Sequence, residues 1–151
     1  MNVSELVFGI GAIPSGVAES RLGGKTLLLL YLFGSGLAAI IVALSNSLIL
    51  LIFGLGFMGF FCSIYHPAGL TLISQRVQAI TKGMAVHGIF GTTGSALGPI
   101  MATTLAFLIS WRASYAVLGV FNIILALATL VVIPNIDHSG IGKIQQQQNP
   151  F

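Results

Sequence analysis

Two histidines stand where imidazole chemistry near neutral pH is available to the chain. His66, in Tyr65-His66-Pro67-Ala68-Gly69, is the one basic side chain of the apolar run from Leu48 to Ser74, and His87 lies inside the next apolar run. Imidazole is the side chain whose ordinary charge change falls between about pH 5 and 8, so it takes up and releases a proton without a cofactor. Tyr65 adds a hydroxyl that both donates and accepts hydrogen bonds. Ionisable groups inside a membrane-length apolar run generally face a bundle interior, a cavity or a proton path. His66 and His87 are therefore candidates for taking up and releasing a proton. The alternative for either histidine is a structural hydrogen bond to a neighbouring helix. His66, His87 and His138 have no zinc spacing and no partnering cysteine or carboxylate cluster, and no nucleophile stands beside a base. No catalytic site, metal or cofactor is expected, and the chain does not read as an enzyme.

The elements that must hold these side chains are membrane-crossing helices. Of 151 residues, 56% are hydrophobic and 6% charged, with a mean hydropathy of +1.01, whereas soluble domains carry roughly 25% charged residues. A water-soluble globule is excluded. The formal net charge of +3 comes from basic residues scattered among apolar runs, which form no stripe for nucleic acid. Cys62, the single cysteine, sits in an apolar run, is expected to be a small buried residue and has no partner for an internal disulfide. The start, Met1-Asn2-Val3-Ser4-Glu5, lacks the basic region of a secretory signal.

Apolar runs at about 3–18, 26–44, 48–73, 84–109 and 113–133 each fit one crossing, since a hydrocarbon core ~30 Å thick takes ~20 apolar residues. The first is short. The separators are Glu19 to Lys25, Ser45 to Ser47, Gln75 to Gly83 and Ser110 to Arg112, so successive helices are expected to be antiparallel neighbours. The predicted fold is an all-α membrane protein, with five transmembrane helices over 1–133. Residues 134–151, ending in Gln145-Gln146-Gln147-Gln148, read as a flexible polar tail. Arg21, Lys25, Arg76, Lys82 and Lys143 fall on one side of this alternating path and Arg112 on the other. Positive charge collects on the cytoplasmic side, which predicts an N-terminus outside, a cytoplasmic C-terminus, and Trp111 as an outer aromatic anchor.

Three motifs carry a resemblance. Gly16-Val17-Ala18-Glu19-Ser20-Arg21-Leu22-Gly23-Gly24-Lys25 resembles the cytoplasmic loop signature of the major facilitator superfamily, matching at Gly16, Arg21, Gly23 and Lys25, with Ser20 where the family usually carries aspartate. Its glycines permit a tight reversal, and the bland reading is a topology-setting turn. Gly94-Ser95-Ala96-Leu97-Gly98-Pro99 resembles the family's antiporter-associated motif, with Met101 and Ala102 at further glycine positions. Residues of this size let backbones approach, and Pro99 frees the Ser95 carbonyl, so Gly94, Gly98 and Pro99 are expected to set packing and a bend. Tyr65-His66-Pro67-Ala68-Gly69 with Gly83-Met84-Ala85-Val86-His87-Gly88-Ile89-Phe90-Gly91 resembles the fosmidomycin-resistance-like branch of that superfamily. The likeness covers roughly 5–133, corresponding to the family's second through sixth helices, and so to an incomplete N-terminal half of its fold.

The resemblance implies proton-driven export, by antiport, of a small organic molecule, from a multi-pass position in a bacterial inner (cell) membrane, with Tyr65 and His66 lining the substrate path and His87 assisting proton movement. Its implied partners are substrate, proton, lipid bilayer and the missing transporter half. The rival is a non-transporting membrane subunit that assembles with another protein. From the residues alone, Pro67 removes an i to i−4 hydrogen bond and exposes the Ser63 carbonyl beside His66. His66 shares its helical face with Gly59, Cys62, Ser63 and Gly69, and His87 lies over Gly91, Gly94 and Ser95. At ~1.5 Å per residue the two histidines are expected ~12 and ~6 Å inside the cytoplasmic face, close enough to meet or share a water chain. Gly54-Leu55-Gly56-Phe57-Met58-Gly59 fits G-x-G-x-x-G but has no preceding strand, and reads as helix packing.

Overall fold

The computed structural model describes residues 3–133, with the side chains of 19 and 20 left aside, and the predicted tail lies outside the described residues. The chain forms α1 (Val3–Ala43), α2 (Leu48–Ser63), α3 (Tyr65–Arg76), α4 (Ile80–Leu108) and α5 (Trp111–Val132). Arg21–Ala43, Leu48–Arg76 and Trp111–Val132 are long and apolar enough to cross a membrane, and Val3–Ala18 is a shorter apolar helix. The 29-residue α4 is long enough but falls outside that set, because glycines and threonines dilute its apolar residues.

The first separator differs from expectation. It is not a loop: α1 stays helical on both sides of one residue, Gly23, at φ 75 and ψ 157. That left-handed φ suits a residue without Cβ. Packing shows that the chain folds back there. In the first arm, a Cβ on Gly11 would meet the Ser63 hydroxyl, and Ser4 lies against Gly59. In the second arm, Gly24 lies against Leu72, Gly34 against Phe61, and Val42 against Gly54. The first arm therefore runs parallel to α2 and the second antiparallel to it. The third run also differs, because it is two helices meeting at Ile64. The linker to α4 shrinks to Val77, Gln78 and Ala79, and Trp111 and Arg112 belong to the first turn of α5.

The core follows the second arm of α1, where Leu27, Leu32, Ala38, Ala39 and Val42 are buried. Large side chains elsewhere point outward, as at Phe107, 91% exposed, and lipid tails solvate such groups as well as a protein interior does. Helix association then rests on close backbone approach and polar contacts. Both occur where α1 crosses α5. A Cβ on Gly36 would stand 3.0 Å from the Gly119 carbonyl, and one on Gly119 would stand 2.9 Å from the Gly36 carbonyl. Beside this crossing Asn122 Nδ2 donates to Ser35 Oγ at 3.1 Å, and Ser35 donates to the Tyr31 carbonyl. Ser114 joins α5 to α4 by donating to the Ala102 carbonyl at 2.7 Å.

Arg112 closes one end of the bundle. Its Nη2 donates to the Ser45 carbonyl just past α1 at 2.9 Å, and its guanidinium lies 4.4 Å from the Trp111 ring centre. A charged hydrogen bond contributes about 1.5–3 kcal/mol, and an exposed cation–π contact about 0.5–1. Arg112→Ala is expected to lower unfolding free energy in micelles by about 2 kcal/mol. Arg112→Lys, which keeps charge without the planar fork, falls between. Equal denaturation midpoints for all three chains would remove this role.

Candidate functional site

The site is built on the break at Ile64. Pro67 has no N–H, so the Ser63 carbonyl lacks its i+4 donor. The Ser15 hydroxyl reaches it instead from α1, 3.4 Å from Ser63 O and 2.8 Å from Ala12 O, sharing its one hydrogen. Helix resumes through Ala68 N donating to Ile64 O at 3.2 Å. Tyr65 is thereby the first residue of α3, with Ile64 and Ala68 buried against Leu27 directly behind it.

Tyr65 is the hub of a ring cluster drawn from three helices. Its ring centre lies 5.1 Å from that of Tyr31 on α1, tilted by 50°, and 5.4 Å from that of His87 on α4, stacked at 28°. His66, next in sequence, lies 5.3 Å away at 59°. These separations fall in the range of favourable aromatic pairs. Room for the His87 ring is made by Gly69, where a Cβ would stand 3.1 Å from His87 Cε1 and 3.5 Å from Nε2. Tyr31, Tyr65 and His87 are half-buried, whereas His66 is exposed. Because α3 runs to Arg76 and α4 starts at Ile80, His66 lies about ten residues from its helix end and His87 about seven, or ~15 and ~10 Å. Both lie farther from their helix ends than the sequence spacing predicts. Imidazoles and phenols so arranged offer proton donors and acceptors, and no group of three or more potential metal ligands exists among the described residues.

Other predicted residues stand apart from this cluster. Gly23 makes the reversal, Lys25 is half-buried, and Gly16 and Arg21 are exposed, with open space around Gly16. The packing expected of Gly94 and Gly98 is not made by the described residues: a Cβ at either would meet nothing within 4 Å. Their face of α4, with the exposed Pro99, is open, and His87 is held by α3 rather than by a partner on that face. Cys62 is half-buried. Sequence reasoning missed Tyr31 and Ser15. Tyr31 had a signal, as a polar ring inside an apolar run; Ser15 had none, since only the fold-back brings it to Ser63.

A multi-pass helical membrane protein with polar rings collected at a helix break is the class these features define. The family model of the major facilitator superfamily matches residues 1–151, and the chain belongs to that superfamily. Among curated relatives, it is similar to the "Probable L-galactonate transporter" of Escherichia coli (strain K12), 22% identical over 97% of this chain and 33% of that protein. It is also similar to an MFS-type transporter of Metarhizium rileyi (strain RCEF 4871), 32% identical over 80% of this chain and 26% of that protein. An uncharacterized transporter of Buchnera aphidicola is 23% identical over 89% of this chain and 33% of that protein. The chain thus spans about a third or less of the length of these relatives. No solved structure matches it.

Proposed function

We propose that the chain is the part of a secondary transporter that carries its proton-handling residues, and that the whole protein exports a small organic solute against a returning proton. The observation that carries this reading is the Tyr65 hub, with Tyr31 and His87 against its ring and His66 beside it. His66, the exposed member, takes up the proton; Tyr65 contacts both imidazoles and bridges them; His87, half-buried, holds the proton while substrate is bound. Two further features support it: the transporter names of the similar proteins and the likeness of the Tyr65 to Gly69 motif to the fosmidomycin-resistance-like branch. Arg21, Lys25, Arg76 and Lys82 face the cytoplasm in this reading, with the N-terminus outside a cell membrane.

The test is efflux from cells making this chain together with the second half of a superfamily relative, loaded with a panel of labelled small organic solutes. Efflux that quickens as external pH falls, and loses that dependence in His66→Ala, is the expected result. Unchanged pH dependence in the variant would remove the coupling role. Absence of flux for every solute, with both chains folded in the membrane, would favour the assembly-subunit reading.

A further inference from the structure

A cleft lies where α3 ends and α4 begins, on the other side of His87 from the Tyr65 ring. It holds about 510 Å³, with Lys82 at one end and Ile73, Val77, Val86 and Phe90 along its wall, and the half-buried His87 closes the inner side. Gly83 lets the two helices close beneath it, since a Cβ there would stand 2.9 Å from Ile73 Cγ2 and 3.1 Å from Val77 Cγ1. The cleft is graded in polarity along the α4 axis. Lys82 sits in the first turn of α4, level with the end of the apolar Leu48–Arg76 span, while Phe90 lies ~12 Å deeper at ~1.5 Å per residue. The wall opens outward, with Val86 44% and Phe90 73% exposed.

We propose that this cleft binds an anionic phospholipid, its phosphate on the Lys82 ammonium and one acyl chain along Ile73, Val86 and Phe90. Charge complementarity selects the headgroup: between Ser20 and Pro134 the sequence has no Asp or Glu, whereas Arg76 and Lys82 flank the α3–α4 turn. A soluble phosphate or carboxylate would match Lys82 but leave the apolar wall without an occupant. An amphiphile matches both ends, and basic pockets between helices at a membrane surface are known recognition sites for acidic headgroups. This inference is independent of the transport reading.

Native mass spectrometry of the detergent-purified 151-residue chain tests it, with phosphatidylglycerol and phosphatidylcholine of identical acyl chains as probes. Preferential retention of phosphatidylglycerol is expected, falling about fivefold in Lys82→Gln, the factor assigned to one basic residue near an acidic surface, and preserved in Lys82→Arg. Val86→Trp, which fills the wall and leaves Lys82 in place, should weaken retention of the same lipid. Circular dichroism checks that each variant keeps its helix content. Equal retention of the two lipids by the unmodified chain, equal preference in Lys82→Gln, or displacement by glycerol phosphate at equimolar concentration would each overturn the proposal.

Discussion

Gly59→Ala is expected to collapse the packing of α1 on α2, whereas Gly56→Ala, three residues away on the same helix, is expected to be harmless. A Cβ at position 59 would run into the Ser4 carbonyl oxygen and stand 2.8 Å from Ser4 C and 2.9 Å from its Cα. All three atoms are backbone, so no rotamer change relieves the clash. The first arm of α1 must move away, and Ser15 and Gly11 would move with it from Ser63. Overpacking of this kind costs about 1–3 kcal/mol and sometimes more; here the upper end applies, because membrane helices hold together by such contacts. At Gly56 the nearest atom to a new Cβ is Val3 Cγ1 at 3.8 Å. That is ordinary contact, and Ala is the better helix former by about 1 kcal/mol. Thermal unfolding in micelles should therefore move in opposite directions for two identical substitutions. Two equal midpoints would mean that the first arm does not pack on α2 as described.

The contrast between those glycines explains what the sequence reveals and what it conceals. Apolar runs and their separators report helices directly, because run length against bilayer thickness is a local property. The Gly54-Leu55-Gly56-Phe57-Met58-Gly59 pattern also reports correctly that its glycines belong to helix packing, yet nothing local says that Gly54 and Gly59 are buried and Gly56 less so. The fold-back at Gly23 was legible as glycines in a basic separator. That one residue would suffice, with helix continuing to both sides, was not, because the run of helical hydrogen bonds has no compositional signature. Pro67 announced a Ser63 carbonyl lacking its i+4 donor, a covalent consequence of proline. Its actual partner, Ser15, lies 48 positions away. Tyr31 joins the Tyr65 ring for the same reason: the site is made by segments far apart in the chain that only the fold brings together, and distance in sequence hides it. The glycine face of α4 shows the reverse case, where a legible pattern of small residues has no described residue packed on it.

On the proposed proton-handling reading, Gly69→Val is expected to uncouple the site while leaving every titratable group of the cluster in the chain. Gly69 lies one turn after Tyr65, and the space it leaves is filled by the His87 ring, 3.1 Å from where a Cβ would begin. A branched side chain there must drive the imidazole outward, off the Tyr65 ring on which it stacks at 5.4 Å. Neither His66 nor Tyr65 is touched by this change, so a loss of coupling cannot be assigned to a missing titratable group. If His87 holds the proton through its position against Tyr65, losing a stacked ring pair worth about 0.5–1.5 kcal/mol should lower proton-coupled flux by about two- to tenfold. Nuclear magnetic resonance of the labelled imidazole separates this from general damage: the ring-current shift that Tyr65 imposes on His87 should vanish in Gly69→Val and persist in Gly88→Ala, where a Cβ meets nothing within 4 Å. Flux retained after the ring-current shift is gone would show that the stack is only a helix contact, and would leave His66 as the one imidazole for which a coupling role stands.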